Sequence, residues 1–393
     1  MSLLGQGEYN LVINVRHAYI AAFAVLAIAI PKSGVAISGI PLNGIYLLIC
    51  LSLPFLIAKF LVRGMASGGG YDVYMFLLLP FWMLFLSITL INGIAKPAAY
   101  VGYVMSLVVV PLFFYVWASQ LTPDRLQYLL RALVMCIRFA SAFGIFLFLY
   151  KVATGQYFSI PLLTTTLGAD QTLESRMNDR GGIYKLFSTY NNGNIYAVCM
   201  IMLLPIYSVI ERSRKWVLLL MLTIMLTLSR TAWALLLLYC VFEYLIFNKA
   251  ISVKKLIVIC VLLCIAVPGM MALLGVMGKD VTFLFDSNLG GRASYLEYFV
   301  NANFISHVPL YWSYEIPYVS VAEFVGLIGL LPFLMFFSNI VMARSLFDIN
   351  RPVSRAACIG CLMYGVATFS DAALILVPTF IIYSLLVMLS FSE

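Results

Sequence analysis

Hydrophobic runs follow one another from about residue 15 to the last residues, separated by short polar breaks. A helix crosses a bilayer core of ~30 Å with about 20 apolar residues. Sliding that length along the chain predicts about twelve spans, near 15–31, 41–62, 74–93, 98–118, 132–152, 192–211, 215–229, 231–248, 255–277, 321–343, 356–370 and 372–390. Two connections, roughly 153–191 and 278–320, are far longer than the others. Loops beyond ~12–15 residues are uncommon unless they carry function or are disordered. The first of these holds Tyr157, Phe158, Tyr184, Phe187 and Tyr190, and the second holds Tyr295, Tyr298, Phe299, Phe304, Tyr311, Trp312, Tyr314 and Tyr318. That aromatic load argues against disorder. Tyr295, Phe299 and Ala302 recur at helical spacing and predict a short helix lying on the membrane face.

Composition turns this pattern into a fold class. Of 393 residues, 63% are hydrophobic and only 10% charged, which leaves too little polar surface to coat a soluble globule. The chain reads as an all-α polytopic membrane protein, a single integral membrane domain over 1–393. No polar stretch is long enough for a separate soluble module, which excludes nucleotide-binding catalytic domains. Met1 to Asn10 is polar and the first apolar run, from about Ala18, carries no cleavage pattern, so that run is expected to stay as a span. All eight cysteines lie inside or at the edge of predicted spans, and structural disulfides are not expected. Cys358 and Cys361 have redox-motif spacing but sit in an apolar run without His or acid, as packing residues do.

The net charge of +8 is largely topological. Short loops retained on the cytoplasmic side carry an excess of Lys and Arg. With the N-terminus inside, such loops hold Lys59, Arg63, Arg125, Arg131, Arg212, Arg214, Lys215, Lys249, Lys254, Lys255, Arg344, Arg351 and Arg355. The opposite face holds fewer: Lys32, Lys96, Lys151, Arg176, Arg180, Lys185, Arg230, Lys279 and Arg292. Both termini are therefore expected in the cytoplasm and both long loops outside, with no partner role for nucleic acid.

Four cations are candidates for chemistry. Lys215–Lys249 is too long for one span and short for two, so its hairpin turn at Ser229-Arg230-Thr231 is expected below the outer surface. A charge at that depth needs a wet cavity or a partner, which makes Arg230 a site candidate, with a snorkelling topological arginine as the alternative. Phosphate suits it, because a guanidinium forks onto two oxygens. Arg176 and Arg180 in Glu174–Gly182, and Arg292 after Gly290-Gly291, sit beside glycines that let backbone approach an anion; solvated charges paired with Glu174, Asp179 or Glu297 are the alternative. Lys185 is read as solvated. Of two histidines, His17 is expected at the interface, and His307 is a candidate proton acceptor or hydrogen-bond donor. No His spacing fits zinc, and Asp170, Glu174 and Asp179 match no known cation loop. Glu243 and Asp371 are read as structural. Glu315 lies among Tyr311, Trp312 and Tyr314, where aromatic faces stack on sugars and a carboxylate could activate a hydroxyl.

With these residues in view, the chain resembles the superfamily of bacterial O-antigen polymerases (Wzy type) and O-antigen ligases. Asn191-Asn192-Gly193-Asn194 is similar to that family's Asn-Pro-Asn motif, Leu228-Ser229-Arg230-Thr231 to its hairpin turn, and Gly291-Arg292, Pro309 and Glu323-Phe324-Val325-Gly326-Leu327-Ile328-Gly329 to its second-loop signature. The resemblance covers roughly residues 185–335. It implies an inverting glycosyltransferase, without metal or cofactor, acting in the bacterial inner membrane. Its substrates would be oligosaccharides on undecaprenyl pyrophosphate, joined on the periplasmic face. Arg230 and Arg292, and more loosely Arg180, would hold pyrophosphate; Glu315 or His307 would take the acceptor proton; Arg176, Asn194, Tyr311, Trp312 and Tyr314 would bind substrate. A chain-length regulator is a candidate partner. Ligases carry a His nine residues before the signature Glu, where this chain has Tyr314. That favours polymerase over ligase, which would deliver the glycan to lipid A core, and removes the family's base. The Arg-x10-Gly motifs of some polymerases have no clear counterpart, since Phe187 and Asn191 stand eleven residues after Arg176 and Arg180. A lipid-linked-oligosaccharide flippase is the rival from another class.

Overall fold

The computed structural model describes residues 15–37, 40–63, 69–168, 173, 184–243, 294–343, 348, 350–371 and 374–392. It is an α-helical membrane protein in which, among the described residues, five helical stretches are long and apolar enough to cross a bilayer: Gly44–Val62, Gly70–Asn92, Pro97–Ala118, Pro123–Thr154 and Gly193–Ile210. In chain order the described helices are α1 (Val15–Ala24), α2 (Gly44–Arg63), α3 (Gly69–Asn92), α4 (Pro97–Val104) and α5 (Val110–Ala118), then α6 (Pro123–Thr154), α7 (Gly193–Ile210), α8 (Arg214–Leu226) and α9 (Arg230–Val241). They continue with α10 (Tyr295–Val300), α11 (Pro317–Phe324), α12 (Leu330–Leu334), α13 (Asn339–Met342), α14 (Pro352–Ala367) and α15 (Thr379–Ser390). The predicted run 255–277 lies outside the described residues.

The core is built around α7, which is apolar on all sides and buried along most of its length, as such helices are. It packs on α14 and α15. Gly360 of α14 permits that approach, because a Cβ there would run into the Met202 carbonyl oxygen of α7.

Three elements depart from the sequence expectation. α6 begins at Pro123, not near residue 132. Pro123 takes the first helical position after Thr122, and the polar turns that follow extend the rod past the hydrocarbon thickness, to about 48 Å. The run 321–343 is not one helix: Gly326, at φ 102°, breaks it after α11. The Leu327 and Ile328 amides then bond the carbonyls of Asn303 and Phe304. In the last run, 372–390, the described residues 374–378 are not helical and the helix begins at Thr379, after Pro378.

Segments between helices pair with each other. Strands β1 (Gly34–Ile37) and β2 (Ile40–Asn43) form an antiparallel hairpin in the register Gly34↔Asn43. Leu167, beyond α6, bonds along β1: its amide donates to Gly34 O (2.9 Å) and its carbonyl accepts from Ala36 N (2.8 Å). Leu310 does the same at the α3–α4 turn, donating to Gly93 O (3.2 Å) and accepting from Ala95 N (3.0 Å) and Lys96 N (3.1 Å).

At the C-terminal end of α7, Glu211 accepts two parallel bonds from Arg138 of α6, Nε and Nη2 each at 2.7 Å, together with Tyr207 Oη (3.1 Å) and Ser213 N (2.9 Å). The Arg138 guanidinium, the Ser213 amide and the Tyr207 hydroxyl outweigh burial and hold this carboxyl down at about 2. Glu211→Gln should lower thermal stability in detergent by about 2–3 kcal/mol, since one partner of a largely buried pair is neutralised. A folded-state pKa below the ordinary 4.5 stabilises fully above about 4.5 and is lost as pH falls through about 2. The wild-type advantage over Glu211→Gln should therefore be flat from pH 7 to 5 and shrink on further acidification. An advantage that grows below pH 4 would contradict this.

Candidate functional site

At the other end of α7 the interhelical pairings border an open cavity of about 490 Å³, within the usual size of a small-molecule site. Lys32 comes from the turn after α1, Asn43 and Tyr46 from the end of β2 and the start of α2, and Lys96 from the residue before α4. Asn191, Asn192 and Asn194 come from the start of α7, Tyr295 from α10, and Trp312, Ser313, Tyr314 and Glu315 from the segment before α11. Asp371 and residues 374–377, between α14 and α15, close it.

Local chemistry explains each wall. Asn192 caps α7, its side chain accepting from the amides of Asn194 (2.8 Å) and Ile195 (3.4 Å), and Asn191 before it adopts φ 53°, a conformation Asn tolerates. The Asn194 side chain then donates Nδ2 to Asp371 Oδ2 (3.0 Å) and accepts from Lys185 Nζ (3.4 Å). The backbone pairing of Leu310 brings Trp312 to Lys96, whose Nζ lies 4.4 Å from the ring centroid. Tyr314 is held by its amide on Ser320 Oγ (2.8 Å) and by the rings of Tyr295, Tyr298 and Phe324.

Four residues singled out in the sequence meet in this cavity: Asn194, Trp312, Tyr314 and Glu315. Tyr311 stands behind its wall, donating to Glu323 Oε1 (2.7 Å), with its hydroxyl 3.2 Å from that of Tyr314. Burial, and next the Glu323 carboxylate, push the Tyr314 phenol well above its ordinary range. Tyr314 therefore keeps its proton at neutral pH and offers a donor, not a base. His307 is exposed and is not part of the lining.

Arg230 opens α9 after Ser229, whose Oγ caps the helix by accepting from Ala232 N (3.4 Å). It is half-buried and outside the lining, but its neighbour Thr231 bonds Ser370 at 2.9 Å, one residue from Asp371. Arg176, Arg180 and Arg292 lie outside the described residues.

No family model, curated protein or solved structure matches the chain. What the site can do is read from its own groups: aromatic faces, side-chain amides, two lysines and two carboxylates around a space able to hold a small polar ring.

Sequence reasoning missed Lys32, Asn43, Lys96 and Asp371 as lining, and misread Lys185. That lysine is no solvated loop charge; it is 4% exposed and bonded to Asn194, because residues 184–187 are tucked against the end of α8 through Leu186 N to Leu226 O (3.0 Å). The available signal was the isolation of these polar residues between apolar runs. Asp371 in particular is the acid separating the last two predicted spans. By charge count alone, Lys32 and Lys96 belong with the topological charges of the outer face.

Asn194→Leu keeps the branching of the side chain while removing one hydrogen bond each from the buried Lys185 and Asp371. It should destabilise the protein by about 1–3 kcal/mol in thermal unfolding. An unchanged melting temperature would show that the Lys185–Asn194–Asp371 chain contributes nothing to the fold.

Proposed function

We propose that this protein is a surface-polysaccharide polymerase of the bacterial inner membrane, joining oligosaccharide repeat units carried on undecaprenyl pyrophosphate at the periplasmic face. One observation carries the reading. Asn194, Trp312, Tyr314 and Glu315, singled out from separate parts of the sequence, share one cavity with two lysines. Tyrosine and tryptophan faces suit the C–H faces of sugars, and amides and carboxylates suit their hydroxyls.

In this reading the acceptor hydroxyl oxygen attacks the anomeric carbon of the donor from the face opposite the carrier. The new glycosidic C–O bond forms as the bond from that carbon to the pyrophosphate oxygen breaks. The electron pair leaves on the pyrophosphate, and the hydroxyl proton passes to Glu315, which lines the cavity as His307 does not. Arg230, Arg292 and Arg180 stabilise the charge growing on the leaving group; such preorganised electrostatics need no metal and no acid. The proton-retaining Tyr314 supplies a hydrogen bond to the sugar. Its place where ligases carry histidine favours polymerase over transfer to lipid A core.

Purified protein given a lipid-linked repeat unit should build a ladder of products without ATP, sugar nucleotide or divalent cation, and EDTA should leave the ladder intact. Glu315→Gln should slow extension by roughly 10²–10⁴-fold, the usual worth of a positioned base, with His307→Ala near wild type. A protein that translocates the substrate across vesicles but never extends it would overturn the proposal in favour of a flippase.

A further inference from the structure

Lys96 stands where a helix least favours a cation. It is the N-cap of α4, which opens the membrane-crossing stretch Pro97–Ala118, and its side chain makes no capping bond. The amino-terminal end of a helix carries partial positive charge, so a lysine there is opposed by the dipole, and both call for an anion beside them. The ammonium is nonetheless held in place. The Lys96 amide donates to Leu310 O (3.1 Å), and Nζ lies 4.4 Å from the ring centroid of Trp312, two residues further on. Among the described residues Nζ donates no hydrogen bond and pairs with no carboxylate, although Glu315 lines the same cavity. Both members of the pair line the cavity and are accessible: Lys96 is exposed, and Trp312 is 49% exposed. The rest of the lining adds positive potential through Lys32 and through the amino-terminal ends of α2 and α7, represented by Tyr46 and Asn194. Of the two lining carboxylates, Asp371 accepts from Asn194, and Glu315 is the proton acceptor in the reading above.

An ammonium with unused donors fixed beside a half-open indole fits a pyranose that carries a negative charge. We propose that Lys96 and Trp312 form a subsite for an acidic sugar, a hexuronate whose C–H face contacts the indole and whose carboxylate accepts from Lys96 Nζ. The two residues determine specificity and are separate from the proton acceptor. The inference rests on the polymerase reading only for which glycan supplies the ring, and it is tested by binding, without transfer.

The test uses full-length protein in detergent and the methyl glycosides of glucuronic and galacturonic acid, each set against its neutral counterpart from glucose or galactose. Titration followed by saturation-transfer NMR is the readout. Wild type should bind at least one uronide roughly tenfold more tightly than its neutral partner, the worth of one charge-assisted hydrogen bond. Raising salt to about 0.5 M should narrow that preference. Lys96→Gln should abolish it, Lys96→Arg should keep it within about threefold because the charge remains, and Trp312→Leu should weaken acidic and neutral sugars alike. Thermal unfolding without sugar supplies an independent readout: relieved of the opposing dipole, Lys96→Gln should melt no lower than wild type, whereas a lysine that served only the fold would be missed. Equal binding of acidic and neutral sugars, no binding of either uronide, or a preference that survives Lys96→Gln overturns the subsite. Methyl glucoside 6-phosphate bound in place of both uronides overturns the carboxylate in favour of a phosphate. A Lys96-dependent preference without a ladder from lipid-linked substrate keeps the subsite and removes the polymerase; a ladder built from neutral repeat units and indifferent to Lys96→Gln does the reverse.

Discussion

In an apolar solvent a backbone N–H or C=O without a partner costs several kcal/mol, so irregular chain survives between membrane helices only where it finds other chain to bond. This protein meets that constraint by pairing its breaks with one another. Gly93–Lys96 bonds Leu310, Gly34–Ala36 bonds Leu167, and Asn303–Phe304 bonds Leu327 and Ile328. Each pairing joins segments distant in sequence, and each brings side chains with it. Lys96 meets Trp312 because Leu310 is pinned at the α3–α4 turn, and Thr166 reaches the carbonyl of Lys32 (3.2 Å) because Leu167 extends the hairpin. The cavity follows from satisfying backbone polarity.

α7 is the axis on which this arrangement is hung. At its 18 residues it is about 27 Å long, and polar chemistry is confined to its ends. Its N-terminal end carries three asparagines, one spent on capping and one on Asp371. Its C-terminal end carries the Arg138–Glu211 pair, with Arg138 also 5.2 Å from the Trp216 ring. Both ends bury charge beside a partner, yet they differ in what surrounds them. Glu211 receives four hydrogen bonds and is satisfied by protein alone. The other end opens on the cavity, whose lining includes Lys32, Lys96, Glu315 and Asp371.

How much of this was legible in the sequence depends on the range of the interaction. Apolar run length placed the five helices long enough to cross, because the ~30 Å thickness of a bilayer is written directly into the number of consecutive apolar residues. The hairpin turn at Ser229-Arg230 was legible from polar residues interrupting a run, and α10 from aromatic spacing. The break at Gly326 was not, since the residues around it are apolar and the bonds that replace the helix come from Asn303 and Phe304. Trp312, Tyr314, Glu315 and Asn194 were legible as chemically unusual, but the cavity they share was not, and Lys185 was misread because burial is a property of what packs over a residue.

Composition and periodicity alone therefore determined that this is a helical membrane protein and where its unusual residues stand along the chain, because those depend on neighbours within a turn or a run. The tertiary structure alone decided which of them face one another. That choice is made by backbone bonds between segments dozens of residues apart, and no local pattern records which break will find which partner.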